Sequence, residues 1–569
     1  MFNSGTWSQS YLLFGHGLGF SVSLAALPIL TLLLLLGVLR KPAWIAGIAG
    51  LVVTFALALG CYHMPPAMAV SAATNGVAFG LFPITWILFW AIALFRVTVE
   101  TGKFEVIRDS IGTLTSDARL QALMIAFALG AFLEGAAGFG APVAIAATML
   151  VGLGFSPFTA AAICLLANTA PVAFGSIGIP IYTLAGTTGL PLDKLSAAVG
   201  LICTPMAFLI PVYLIVAVGG FGSLAGVLVP TLLAGTIFAA VQFFISTYMG
   251  PQLTDILAAL AAMAVLVLYI RLGRMKSGKA TLVRPDNLFS QNVLSSQGST
   301  ANTDAASREQ RDRVIPNHPM SAVLHAWMPY GILVLCVLLW GWEPVHAALN
   351  KLTILIPWPA LNDAVLRMPP VVLAPSPYHA AFNFNWLAAP GTACMVATLL
   401  SALLLRMKIS DFMRLLLGVV RQLRLPTLTV CSVLAMAFLM NYCGATATLG
   451  LAFSATGVMF PFFSALLGWL GVFLTGSDTS ANALFGSLQV VTANRLGLDP
   501  VLMAAANSSG GVMGKMISLQ TIAVAAAATG LSQEDESRLF RFMLRHSVLL
   551  AAIVGGLALL FAYVVHIRF

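Results

Sequence analysis

Charge is what this sequence has least of: 8% of its 569 residues are Asp, Glu, Lys or Arg, while 59% are hydrophobic. A water-soluble globule cannot cover its surface with so few charged side chains. A cytosolic enzyme and a nucleic-acid binder are thereby excluded, despite a formal net charge of +9. Intrinsic disorder, which requires low hydrophobicity, is excluded as well. Cysteine is also scarce, with seven residues, none in C-x-x-C spacing and most inside apolar runs. That rules out a secreted disulfide scaffold and argues for buried thiols acting as small hydrophobes. No Lys or Arg precedes Arg40, so the basic n-region of a cleaved signal peptide is missing and none is expected. What remains is an all-α polytopic membrane protein with a mean hydropathy of +0.96.

The basic residues that do occur are clustered. Arg40 and Lys41 follow the first apolar run, and Arg96, Lys103, Arg108 and Arg119 flank a polar stretch. Eight more lie in 271–325, five between Arg406 and Arg424, and three between Arg538 and Arg545. By the positive-inside rule these regions are cytoplasmic, with anionic lipid headgroups as their partners. Segment 344–385, with several prolines, His379 and flanking tryptophans, is expected outside as interfacial helices or loops. His63, His325, His346 and His546 fall near span ends and read as interfacial histidines.

Since a span needs roughly 20 apolar residues, candidates run near 23–39, 43–60, 77–95, 195–218, 224–245, 252–270, 326–342, 386–405, 427–440, 450–471 and 547–565. Two further stretches are apolar but interrupted. In 120–192 the only charge is Glu134, amid glycines and prolines from Gly135 to Pro180. In 426–533 Asp478, Arg495, Asp499 and Lys515 stand among Gly, Ser, Thr and Asn. Helix breakers at membrane depth imply discontinuous helices or re-entrant hairpins lining a cavity.

The two stretches also resemble each other. FLEGAAGFGAPVAIA from Phe132 matches FLTGSDTSANALFGS from Phe473; LGFSP matches LGLDP, ending at Pro157 and Pro500; ANTAPVAFG matches ANSSGGVMGK at Asn168 and Asn507. These landmarks are offset by 341, 343 and 339 residues in the same order. The first unit is approached from the Arg119 side and the second one span after the Arg424 group. The expected fold is therefore about 12–14 transmembrane helices with two inverted repeats. Its divisions are N-terminal spans with a cytoplasmic amphipathic segment (1–119), the first broken unit (120–192), scaffold spans (193–270) and a cytoplasmic linker (271–325). Further scaffold with the outer segment follows (326–425), then the second broken unit (426–533) and a C-terminal span (534–569).

Motifs of soluble enzymes are missing. Neither H-E-x-x-H nor G-x-S-x-G occurs, and GGVMGKMIS fails as a P-loop because Ser509 stands where its first Gly belongs and Met516 follows Lys515. GAAGFG at 135–140 has the wrong glycine spacing for a dinucleotide site. A secondary transporter fits better than an ATP-driven pump, and no cofactor or metal is expected. Three charges remain within the broken units, each costing about 2.5–3.5 kcal/mol at the bilayer centre. Glu134, among Gly, Ala and Phe, has its charged form disfavoured, which suits a proton carrier; Asp478, among Ser477, Thr479, Ser480 and Asn482, has donors that hold it ionised. Both are candidates for proton coupling, with a purely structural carboxyl as the alternative. Lys515 is either an ion-pair partner for one acid or the countercharge for an anionic substrate. Asn168 with Thr169, and Asn507 with Ser508, occupy matching positions whose amides and hydroxyls suit a carboxylate or a 2-hydroxyl; Ser477 and Thr479 join them as candidate substrate contacts.

At these residues the sequence resembles a known family. FLEGAAGFGAPVAIAATMLVGLGFSPFTAAAICLLANTAPVAFGSIGIPI (132–181), GWLGVFLTGSDTSANALFGSLQ (468–489) and AANSSGGVMGKMIS (505–518) are similar to the L-lactate permease family, as are VETGKFEVIRDSI (99–111) and FRFMLRHS (540–547). The resemblance implies a bacterial cytoplasmic-membrane symporter taking up lactate, and often glycolate, with protons. The implied partners are a 2-hydroxymonocarboxylate, the proton and membrane lipid, with a homodimer as a candidate assembly and no nucleic acid. A Na⁺-coupled dicarboxylate carrier is one rival, which would call for more fixed cations than Lys515. An intramembrane enzyme or channel is the other; the lack of a nucleophile–base pair or metal cluster speaks against the enzyme, and the inverted broken repeat against a simple pore.

Overall fold

The computed structural model describes residues 6–112, 114–115, 117–138, 141–272 and 318–569. Among these, 11 helices are long and apolar enough to cross a membrane, or up to 13 if each bent pair counts as one. Many of their outward side chains are apolar, such as Leu335 at 68% and Val52 at 61% exposure. Such surfaces are stable in lipid, where helices also satisfy their own backbone groups. Most of the expected linker, residues 273–317, lies outside the described residues.

Span boundaries agree best where apolar runs are bounded by prolines or charges, as at Ala43–Gly60. They differ most around Arg414, Arg421 and Arg424. Where a cytoplasmic loop and two spans (427–440 and 450–471) were expected, one helix runs from Ile409 to Cys443, followed by Ala445–Thr475. Leu415, Val419 and Leu423 are buried on one face of the long helix while the arginines point outward. Spacing of four residues gives an amphipathic extension that continues the span into the headgroup region.

Each broken unit contains four helical pieces. The first has Ala118–Ala136, Ala141–Gly152, Pro157–Ala167 and Gly175–Thr188, with a 64° bend between the last two. The second has Phe460–Thr475, Asp478–Leu496, Pro500–Lys515 and Leu519–Thr529. The matching prolines both open the third piece, where a missing N–H costs nothing. Each follows a capping residue: the Ser156 hydroxyl accepts from Thr159 N and the Asp499 carboxylate from Leu502 N. The correspondence fails at the asparagines. Asn168 ends an 11-residue helix, whereas Asn507 lies within a 16-residue one that runs on to Lys515.

Contacts between distant segments sort the helix ends onto two faces. On one, the Arg119 guanidinium donates to the carbonyls of Ser223 and Ala225 at 3.0 and 2.8 Å, and Arg96 donates to Gln422 at 2.8 Å. This is the basic face, the cytoplasmic one by the positive-inside rule. On the other, Gln9 donates to the carbonyls of Asn441 and Tyr442, both at 2.9 Å, and Phe569 N donates to Asp499 at 2.9 Å. The first unit starts at Arg119 on the basic face. The approach to the second starts at Gly444, packed against Ser10 and Tyr11 on the opposite face.

Segment 344–385 differs from its expectation. Only Glu343–Asn350 is helical; Ile354–Pro357 pairs antiparallel with Ala381–Phe384, and Trp7–Ser8, Val365–Arg367 and Ser376–Pro377 form a second small sheet. The runs ILIP and AFNF carry the β-branched and aromatic residues that suit strands. An introduced Leu373→Cys, on a fully exposed residue of this cap, is expected to react with an impermeant thiol reagent outside intact cells. Arg414→Cys, on the basic face, is expected to react only after permeabilisation; the reverse pattern would invert the topology.

The second unit is held by close helix approach. A Cβ on Gly468 would lie 1.7 Å from the Asn507 carbonyl oxygen, and one on Gly514 would lie 2.3 Å from that of Trp469. Small residues are what let backbones approach this closely in lipid. Gly468→Ala is therefore expected to lower the unfolding temperature in detergent, since overpacking costs typically about 1–3 kcal/mol. Gly556→Ala, with open space around it, is the control that should leave it unchanged.

Candidate substrate site

The breaks of the two units meet around a cavity of about 250 Å³, walled by Glu134, Gly175 and Ser176 from the first and Ser477, Asp478, Thr479 and Lys515 from the second. Ala43, Trp44, Leu425 and Pro426 are also on its wall. Since Ala43 follows Lys41 and Leu425 follows Arg424, this side of the cavity lies toward the basic face. Its volume falls below the roughly 300–1,000 Å³ of pockets for drug-sized ligands, which suits a small solute.

Local backbone explains how charges and polar atoms reach this depth. Gly476, at φ +72°, ends one helix in the left-handed conformation, and Ser477 starts the next by accepting from Ser480 N. In the first unit Ser176, Ile177 and Gly178 have φ of +49°, +60° and +79°. For β-branched Ile177 this is a strained conformation. It is held by the Ser176 hydroxyl, which donates to Ala137 O at 3.3 Å, and by Gly178, where a Cβ would meet Pro251 at 2.8 Å.

The charges connect the units. The Lys515 ammonium donates to Glu134 Oε1 at 3.3 Å, with side-chain exposures of 10% and 3%. Glu134, expected to lack stabilising neighbours, thus has a cation supplied from 381 positions away in sequence. Its other oxygen, Oε2, has no hydrogen-bond partner. Lys515 is not paired with Asp478. That carboxylate instead accepts from Ser508 at 2.7 Å and Asn482 at 3.2 Å through Oδ2, while Oδ1 is unpartnered. It also sits in the first turn of Asp478–Leu496, where the helix dipole favours an anion.

The remaining expected residues divide. Ser477 and Thr479 are on the cavity wall; Asn168, Thr169, Asn507 and Ser508 are buried behind it. Asn507 donates to Asn482 Oδ1 at 3.0 Å and accepts from Gln489 at 3.1 Å, extending the network that holds Asp478. Thr169 spends its hydroxyl on Leu166 O at 2.7 Å. Asn168 differs, because neither of its amide atoms has a partner, whereas Asn507 uses both its nitrogen and its oxygen.

One residue escaped the sequence reading. Asp255 is 1% exposed and both its oxygens lack partners. It packs against the residue after Glu134: a Cβ on Gly135 would lie 2.8 Å from Asp255 Cβ. Its position beside Thr254 at the start of an apolar run looks like an ordinary polar helix start. The signal available was its location past Leu253, inside the predicted span 252–270.

Removing the closest donor to Asp478 should be costly, since an unsatisfied buried charged group costs about 1–3 kcal/mol or more. Ser508→Ala is expected to lower thermal stability and transport together, and Ser508→Thr to retain most of both. A fully active, equally stable Ser508→Ala protein would show that Asp478 does not depend on this hydroxyl.

Comparisons with known proteins bear on this geometry. The model of the L-lactate permease family matches residues 21–565. Glycolate permease GlcA of Escherichia coli is 42% identical over 566 residues, covering 98% of each chain. An L-lactate permease of Bacillus subtilis is also 42% identical, covering 96% of this chain and 97% of its own. Among solved structures, MtrF of Neisseria gonorrhoeae, from a class of antimetabolite efflux pumps, aligns with a TM-score of 0.52 at 12% identity. That alignment covers 94% of this chain and 98% of MtrF, and the likeness concerns the fold alone.

Proposed function

The chain belongs to the L-lactate permease family, a family of multi-pass membrane transporters, and from that premise we propose that it takes up L-lactate or glycolate together with protons. The observation that carries the coupling is the Lys515–Glu134 pair on the cavity wall. Lys515 is the one cation on that wall among the described residues. A substrate carboxylate that binds it competes directly with Glu134. A buried carboxylate that loses its countercharge is strongly disfavoured, whereas its protonated form is not. Anion binding and proton uptake by Glu134 are then one linked event. The site keeps a constant net charge: one negative charge arrives with the substrate and one is neutralised by the proton.

Other polar atoms suit a 2-hydroxy acid. Ser477, Thr479 and Ser176 line the cavity within the same wall as Lys515. The unpartnered Asn168 amide stands at the helix break of the first unit and is proposed as a further substrate contact. Asp478 keeps the second unit's break ordered through Ser508 and Asn482.

Uptake of labelled L-lactate and glycolate into proteoliposomes, with pH and Na⁺ gradients imposed independently, tests the reading. A pH gradient should drive accumulation and a Na⁺ gradient should not. Lys515→Met is expected to weaken affinity roughly 10- to 150-fold, the equivalent of one charged hydrogen bond of about 1.5–3 kcal/mol. Glu134→Gln should abolish accumulation driven by pH while leaving lactate exchange partly intact, because exchange needs no net proton release. If Glu134→Gln still concentrates lactate in response to pH, the proton is carried elsewhere, with Asp478 and Asp255 the next residues to substitute.

A further inference from the structure

A second cavity, of about 120 Å³ and walled by valines as well as polar residues, lies on the outer side of the same helices. Thr188, Arg367, Tyr378, Asn441, Ser487 and Asn494 line it. Arg367 comes from the strand Val365–Arg367 of the cap; the others, Tyr378 apart, come from the outer ends of Gly175–Thr188, Ile409–Cys443 and Asp478–Leu496. The guanidinium stacks 5.0 Å above the Tyr378 ring. Its Nε is buried without a hydrogen-bond partner. No carboxylate among the described residues pairs with it, and Asp363, the acid nearest in sequence, is engaged by His379 at 2.5 Å. An arginine held by stacking, with donors free and no internal anion, is preorganised for a carboxylate.

The floor of this cavity is a hydrogen-bonded seam between the units. The Ser487 hydroxyl donates to Thr187 O at 2.6 Å; the Asn441 amide donates to Ser487 Oγ at 2.9 Å and to Thr187 O at 3.4 Å. Nearer the inner cavity, Asn482 donates to Pro180 O at 3.2 Å. Asp478 and Ser487 lie on one helix, about 14 Å apart along its axis. The seam therefore separates the outer cavity at Arg367 from the inner one at Lys515.

We propose that the Arg367 cavity is an outer capture site for a monocarboxylate, which waits above the Thr187–Asn441–Ser487 seam until that seam parts. The substrate class rests on the function proposed above; the anion preference rests on Arg367 alone. Attraction to Arg367 concentrates the anion at the mouth of the path, and the seam keeps the outer and inner sites from being open to each other. Both cations meet the same carboxylate in succession, first outside and then beside Glu134.

The full chain with Asn494→Cys, a reporter on an exposed wall residue, tests this in right-side-out vesicles, with the parent chain as background. Anionic and cationic methanethiosulfonates of similar size are applied from outside and their reaction rates compared. Removing the focusing charge with Arg367→Gln should lower the anion-to-cation rate ratio roughly 10-fold, and Arg367→Lys should restore most of it. L-lactate or glycolate should slow labelling in the Asn494→Cys protein and also when Lys515→Met is added, but not when Arg367→Gln is added. An unchanged rate ratio in Arg367→Gln overturns the capture site, and so does protection that vanishes with Lys515→Met. Failure of the transport reading would appear separately, as absence of pH-driven uptake with the charge preference of labelling intact.

Discussion

The ion pair between Lys515 and Glu134 is the constraint around which the two halves of this protein are arranged. Each charge is too deep to be solvated by bulk water and too costly to stand alone in lipid. Each is supplied by a different broken unit, so neither unit can present its charge unless the other is docked against it. Removing one partner would leave an uncompensated buried charge, the situation that buried pairs tolerate least. The pair is also incomplete, with Glu134 Oε2 unpartnered and a cavity beside it. A fully satisfied bridge would be a stable end-point, whereas this one leaves room for a third charged group.

The backbone around the pair is irregular for the same reason. A continuous helix consumes its own backbone N–H and C=O groups, so offering backbone polar atoms at membrane depth requires helices that stop there. The second unit stops at Gly476 and at Met516–Ser518, the first at Ala137 and at residues 168–171. Freed backbone groups are met by contacts within a unit, such as Ser176 to Ala137, and between units, such as Asn482 to Pro180. The two units use related frames with different chemistry. The second commits Ser508 directly, and Asn507 through Asn482, to holding Asp478, while the first leaves the Asn168 amide unpaired. That asymmetry places a rigid element opposite an adaptable one across a single cavity.

Along the path between the faces, polar groups are distributed by task. Lys515 lines the inner cavity and Arg367 the outer one, the two places proposed for the anion, and neutral donors and acceptors form the seam between them. Hydrogen bonds among Ser, Thr, Asn and backbone carbonyls are individually modest, each about 0.5–1.5 kcal/mol. A seam made of them closes the path yet can open without disrupting a core. Asp255, 1% exposed beside the Glu134 helix, adds a further buried carboxyl next to the pair.

Membrane location, helical class, the basic face and the two interrupted stretches were legible in the sequence, because lipid imposes long apolar runs and charge asymmetry on any chain that crosses it. So were Glu134, Asp478 and Lys515, since a charge within an apolar run is conspicuous by composition alone. The capping prolines Pro157 and Pro500 also read correctly as landmarks, because their effect is local. Only the tertiary structure decided that Lys515 meets Glu134 and not Asp478, and that Ser508 serves Asp478. It alone showed that Asn507 is consumed while Asn168 is free, that the outer segment forms strands, and that Arg367 faces the end of Asp478–Leu496. Each of these is a contact between segments far apart in the chain. Hydropathy and spacing report what one helix needs from its surroundings, but which partner supplies it is settled by how the helices pack.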